Sequence, residues 1–387
     1  MTKRRDVRFD LAGLRAYAAT RTLFPPTDLA GAVRALGFVQ IDPIRAPARA
    51  QDLVLRLRVA GYRIGDLDRR FPELPLAEDS VHVYGALPEA SLAFLHPRAR
   101  RRRWRVEQEH PALAHKIVDH VGRNGPTHPR DLTRALGAMR IVNGWGGISA
   151  ATTRLLEVLH YRGVLRVVRR EQGVRIYDVA LPRAIAMPPA TRSRELLQML
   201  VKLYAPLPKA SLRQLAAMLP VDMVAEDLRM RTFERLTRSK WLARAVVDGV
   251  EYVWPADETV DAEAPDVVRL LAPFDPIVWD RRRFAHLWGW DYRFEAYTPP
   301  AKRRFGYYAM PLLWRDGVIG WANVTMRRGK WAVDTGFVGK PPRPAAFARE
   351  LEREIDALRR SLASDETASR GNVANAATSA VAEASHE

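Results

Sequence analysis

Two stretches of this chain carry the same punctuation in the same order, and that repetition limits the folds open to it. From His110 to Gly122, apolar Leu113, Ile117, Val118 and Val121 recur at helical spacing; Thr127-His128-Pro129-Arg130-Asp131-Leu132 opens a second helix, and Ser149 is placed to cap a third that runs to Arg162. Val164–Arg169 and Val174–Val179 then alternate around Glu171-Gln172-Gly173, the pattern of a β-hairpin. The order returns further on. Ser193–Tyr204, Ser211–Met218 and Val224–Ser239 read as helices, and Trp241–Ala245 with Val250–Trp254 flank Asp248-Gly249, a dipeptide favoured in tight hairpin turns. Three helices closed by a hairpin make a winged helix-turn-helix, a unit that offers a helix to a nucleic-acid groove.

The rest of the chain frames these two units. Arg8 to Pro88 reads as two helices, a strand at Gln40–Asp42 and a further helix from Ala46 to Ala60. From Val267 to Val338 short strands rich in Trp, Tyr and Phe alternate with Gly and Pro turns, and Leu351, Ile355 and Leu358 share one face of a closing helix. The expected fold class is α+β and predominantly helical: tandem winged helix-turn-helix domains followed by a small C-terminal β domain. Its divisions are a modified winged-helix unit at 8–108, winged helices at 109–187 and 191–257, a β-rich domain at 266–340, a helix at 341–362, and a tail at 363–387. That tail, poor in aromatics and rich in Ala, Ser, Thr and Asn, is expected to be disordered.

The formal charge of +18 favours a polyanionic partner. Arginine supplies almost all of it, 54 residues against 8 lysines, so part of the bias is compositional. The tail is net acidic, which leaves the charge on the folded body. One arginine run, Arg98 to Arg105 around Trp104, reads either as a solvated helical face or as a surface that tracks phosphates. The chain has no cysteine, so disulfides, thiolate zinc sites and cysteine nucleophiles are excluded. The basic N-terminus leads into an amphipathic helix, and no apolar run approaches the roughly 20 residues of a membrane span. A cytoplasmic, nucleoid-associated protein is the expectation.

Gln40-Ile41-Asp42 is the pattern with chemistry in it. Side chains on a strand alternate faces, so Gln40 and Asp42 share one face while Val39 and Ile41 turn to the other, and Pro43 ends the run. A carboxylate beside an amide can orient a water or sit under a developing positive charge. The same spacing also occurs in surface pairs and helix caps.

The surroundings of this tripeptide carry a resemblance. Leu36-Gly37-Phe38-Val39-Gln40-Ile41-Asp42, followed by Arg49-Ala50 and Leu53-Val54-Leu55, resembles the N-terminal signature of the YcaQ/AlkZ family of crosslink-repair DNA glycosylases. Leu271-Ala272-Pro273-Phe274-Asp275-Pro276-Ile277-Val278-Trp279-Asp280-Arg281-Arg282-Arg283, with Asp291-Tyr292-Arg293 and Ala301 to Tyr308, is similar to its C-terminal signature. The resemblance spans residues 8 to 340 and implies that Gln40 and Asp42 are catalytic, in the glutamine-x-aspartate version of the motif. Two departures stand out. Gln51-Asp52 replaces the histidines that many members have after the catalytic strand, and the histidine segment survives as His82-Val83-Tyr84-Gly85.

The implied function is a monofunctional DNA glycosylase acting on double-stranded DNA with N7-alkylated purines, with the unhooking of interstrand crosslinks as an extension of the same reaction. Arg45, Arg49, Arg281, Arg282, Arg283, Lys302, Arg303 and Arg304 are the expected DNA contacts, with ion pairing inside the protein as the alternative for the run after Asp280. Trp279, Tyr307 and Tyr308 read as core. Phosphate-loop, dinucleotide and His-Glu-x-x-His patterns are absent, so no cofactor, nucleotide, metal or membrane partner is expected, and the protein is read as a monomer. The alternative reading is a non-catalytic winged-helix DNA-binding protein or transcriptional regulator, which accounts for everything except the paired amide and carboxylate.

Overall fold

The computed structural model describes residues 10–99, 104–142, 147–181, 187–260, 263–327 and 330–363. The tail from residue 364 and positions 100–103 of the arginine run lie outside the described residues.

The first unit begins with two capped helices. The Asp10 side chain accepts the Gly13 N–H at 2.7 Å to open Leu11–Thr22, and Asp28 accepts that of Gly31 at 2.6 Å to open Leu29–Leu36. Gly37, at φ +76°, ends the second helix and turns the chain into the strand Val39–Gln40. This strand pairs antiparallel with Tyr84–Pro88, which also pairs with Leu76–Ser80. Gln40 lies opposite Gly85, where a Cβ would collide with the Phe38 ring and the Val39 carbonyl, so the close approach requires glycine. The strand is shorter than expected. Ile41 still donates to the Tyr84 carbonyl at 3.0 Å, but Pro43 has no N–H to continue the ladder, and Asp42 sits just beyond the strand end. The expected Ala46–Ala60 helix is likewise confined to Ala50–Leu55.

The second unit has helices at Pro111–Asn124, Pro129–Leu136 and Ala151–Tyr161 and a hairpin of Leu165–Glu171 with Val174–Val179. Its turn puts Gln172 at φ 51° and Gly173 at φ 85°. Ser149 does not cap the third helix. Ala150 holds the cap position without a side-chain bond, and Ile148–Ala150 instead pairs with Arg140–Val142 in a hairpin that the sequence pattern missed. The third unit repeats the order with Pro189–Tyr204, Lys209–Met218, Glu226–Arg238, Leu242–Val247 and Val250–Pro255, and Asp248 and Gly249 form its left-handed turn. A four-stranded antiparallel sheet follows, Val268–Leu270, Met310–Trp314, Gly317–Arg327 and Lys330–Phe337 in that spatial order, and Ala345–Ala363 is the last described helix.

The hydrophobic core does not follow the expected divisions. One buried cluster runs from Leu14 to Leu362 through the first unit, the third unit and the four-stranded sheet. A second, from Val106 to Tyr177, belongs to the second unit alone. Polar contacts join the two. Arg170 grips Glu78 through two 2.6 Å bonds, and Tyr84 donates to Glu78 at 2.8 Å. Burial opposes the charge on Glu78, but the Arg170 guanidinium outweighs it and holds the carboxyl below its ordinary value. Arg98 lies 3.8 Å over the Tyr161 ring and pairs with Asp79 at 2.8 Å, so this arginine serves the interior rather than a phosphate. No described helix is long and apolar enough to cross a membrane.

Candidate active site

The strand end leaves Gln40 and Asp42 partly buried. Asp42 Oδ1 accepts the Ile44 N–H at 2.9 Å, a local turn that fixes the carboxylate, while Oδ2 has no hydrogen bond from any described residue. Burial raises the Asp42 pKa, and the Ile44 bond only partly offsets it. Gln40 Oε1 is buried without a partner, which is unusual for an amide oxygen inside a fold.

Gln51 and Asp52, the pair that departs from the resemblance, stand behind this point in the helix Ala50–Leu55 and are both fully buried. Gln51 Oε1 accepts the backbone N–H of Asp42 at 3.3 Å, and its Nε2 has no partner. Asp52 organises the turn after the helix by accepting from Tyr62 Oη and the Gly65 N–H, each at 2.8 Å, and from Arg49 at 3.3 Å. Arg58 then clamps the helix to the distant sequence block: its guanidinium meets Asp275 at 2.8 and 2.9 Å, both side chains fully buried. The aspartate of Pro273-Phe274-Asp275-Pro276 therefore ties the two signatures together.

The clamp also fixes Phe274, from which a chain of aromatic rings runs on into the C-terminal signature. Phe274 packs on Phe294 at 4.9 Å, and Phe294 in turn carries Tyr308 at 5.4 Å and Tyr297 at 6.1 Å. Glu295 shapes the turn there by accepting the backbone N–H groups of Arg304, Phe305 and Gly306. Gly306 sits at φ +126° with no room for a Cβ beside Asn323. Burial first, and the Asp42 charge second, raise the pKa of Tyr308. Tyr308 is buried with its hydroxyl unpartnered, as a core reading requires of the ring but not of the oxygen; Tyr307 and Tyr297 are exposed, the latter at 83%.

The expected DNA contacts divide by exposure. Arg45, Arg282, Lys302 and Arg304 are exposed, and Arg303 lies 5.0 Å over the Tyr307 ring. Arg281 is half-buried 4.6 Å over Tyr292. The expectation does not carry to Arg49 and Arg283. Arg49 is enclosed between Asp52 and Asp68, and Arg283, 2% exposed, donates to the carbonyls of Tyr204, Pro206, Pro276 and Ile277. The internal-pairing alternative describes Arg283, with backbone carbonyls in place of carboxylates. Among the described residues no three His, Asp or Glu side chains gather to hold a metal ion.

Comparison with known proteins fits this geometry. The sequence model of AlkZ-like DNA glycosylases matches residues 33–361, which takes in both the Gln40–Asp42 turn and the Asp275 clamp. The chain belongs to the AlkZ-like DNA glycosylase family. Among solved structures, Streptomyces sahachiroi DNA glycosylase AlkZ shares the fold, with a TM-score of 0.62 at 14% identity over 92% of this chain and 97% of that one. As an AlkZ-like protein the chain is a DNA glycosylase, an enzyme class the regulator reading does not contain. Sequence reasoning missed Gln51 as a support for Asp42 and Glu295 as the organiser of the turn at Arg304 to Gly306. The signal was present for Gln51 alone, whose position is where the resemblance breaks.

Proposed function

We propose that this glycosylase hydrolyses the N-glycosidic bond of N7-alkylated purines in double-stranded DNA, unhooks crosslinks in which such a purine joins two strands, and leaves an abasic site. The observation that carries the reading is the half-buried Asp42 carboxylate, whose Oδ2 has no partner among the described residues, two residues from a buried amide oxygen that no described residue satisfies.

An N7-alkylated purine already carries positive charge, so it departs without protonation and the demand falls on the sugar. Asp42 stabilises oxocarbenium character at the anomeric carbon and takes a proton from the attacking water; Gln40 orients that water. The rigid turn at Ile44 and the Gln51 contact hold the carboxylate in place, which favours orientation over substrate distortion. A lyase step would need an amine nucleophile, and the turn supplies none.

Duplex binding falls to the helix-rich units, which we read as tandem winged helices, and to the exposed Arg45, Arg282, Lys302 and Arg304 with Arg303 beside them. A cytoplasmic, nucleoid-associated monomer is the setting that this substrate implies. Incubating the purified protein with a duplex holding a single N7-methylguanine tests the reading. Release of free base supports it; an intact glycosidic bond at saturating enzyme overturns it.

A further inference from the structure

Two cavities lie along the helix Pro189–Tyr204, the first helix of the third unit. One, of about 290 Å³, is lined by Arg194 together with Arg235 of the helix Glu226–Arg238 and with Trp241. The other, of about 180 Å³, is lined by Lys202 together with Arg34 of the helix Leu29–Leu36 in the first unit. Gln198 lines both, so they meet in one groove that crosses from the third unit to the first.

The charge in this groove is arranged unlike that on neighbouring helix faces. Several exposed helical arginines of this chain pair with a carboxylate one turn away; on the helix that carries Arg235, Arg231 meets Asp227 at 2.7 Å and Arg238 meets Glu234 at 3.0 Å. Arg34, Arg194, Lys202 and Arg235 are all exposed, and none has an acidic residue three or four positions away. Among the described residues the one carboxylate lining the groove is Glu195, 3.4 Å from Arg194. Four cations against one carboxylate make this a surface for an anion. The spacing fits a nucleic-acid strand: Arg194 and Lys202 stand about 12 Å apart along the helix axis, the axial rise of three to four phosphates at about 3.4 Å each. Gly37 also lines the groove and precedes Asp42 by five residues, which brings the groove within about 18 Å of the candidate catalytic carboxylate.

We propose that this groove holds one strand of the DNA duplex by its phosphates, through Arg34, Lys202, Arg194 and Arg235, with the Gln198 amide as a neutral donor between them. Such contacts fix the position of the duplex and carry no sequence information. They lie outside both the Gln40 to Asp42 turn and the arginines after Asp280. The inference depends on the chain acting on DNA, not on which base it removes.

Salt-dependent binding of the full chain to an undamaged duplex tests it. Arg194→Gln with Arg235→Gln should flatten the slope of the log binding constant against log salt by about 1.8, two phosphate contacts at about 0.9 each, at an unchanged melting temperature. Arg353→Gln with Arg359→Gln removes the same charge from a face where Glu350 and Asp356 pair the arginines, and should keep the wild-type slope. Arg194→Lys with Arg235→Lys keeps the charge and should keep the slope as well. A wild-type slope in the first variant would overturn the proposal and turn attention to an acidic protein partner. An equal loss in both glutamine variants would overturn it too, by reducing the effect to net charge. Because the duplex carries no lesion, a failure to release N7-methylguanine counts against the proposed function and not against this groove.

Discussion

Gln51 Oε1 accepts the backbone N–H of Asp42 at 3.3 Å, so a fully buried amide holds the candidate catalytic residue from behind. Replacing it with the near-isosteric leucine removes the bond and the unsatisfied Nε2 together. Gln51→Leu should therefore lower single-turnover excision about tenfold while changing unfolding free energy by only about 1 kcal/mol, read from rapid-quench kinetics and urea denaturation.

Much of this arrangement was legible in the sequence because it depends on local pattern. Asp248-Gly249 marks a turn whatever surrounds it, and Gly37 and Pro43 bracket the Gln40 to Asp42 run. What was not legible depends on contacts between residues far apart in the chain. Arg283 looks like its exposed neighbour Arg282 in sequence, yet four carbonyls from separate segments surround it. Asp42 lies past the strand end because a proline removes one donor, which periodicity alone does not weigh. Nor does any spacing rule pair Arg58 with Asp275, 217 residues apart.

The arginine run after Asp280 should split by burial. Arg282→Gln should weaken binding to all duplex sequences alike and reduce the salt slope by about 0.9 for one lost phosphate contact, with no change in melting temperature. Arg283→Gln should instead lower stability by several kcal/mol, since it strips donors from buried carbonyls; calorimetry and salt-dependent binding on both variants separate the roles.

The clamp itself gives a large stability effect. Asp275→Ala leaves Arg58 charged, buried and unpaired, at a cost of about 3–5 kcal/mol in chemical denaturation. Asp275→Ala with Arg58→Met should recover much of that loss if the pair acts as one unit.

Burial raises the Asp42 pKa, and catalysis needs the ionised form, so the acidic limb of kcat/KM should lie above 3.8 and activity should fall as pH drops through the raised value. The linkage has the opposite sign for folding. Ionised Asp42 costs stability above its folded pKa, and the cost shrinks on acidification and vanishes below 3.8. Asp42→Asn should accordingly be more stable than wild type at pH 7 and no different at low pH, as thermal melts across pH will show.

Covalent chemistry gives a separate check on mechanism. The reacted strand should remain intact until treated with alkali or heat, and borohydride should trap no protein on the DNA. A trapped adduct would assign the first step to an amine instead of to water.

Asp42→Asn on an N7-methylguanine duplex is the most direct measurement of the central claim, because it changes one oxygen to an amide within an unchanged backbone turn. Single-turnover base release should fall by at least about a hundredfold, while the dissociation constant for the same duplex stays within about twofold of wild type, since the charge is needed in the transition state more than in binding. Wild-type release by the Asn variant would contradict the account and take Asp42 out of the chemistry.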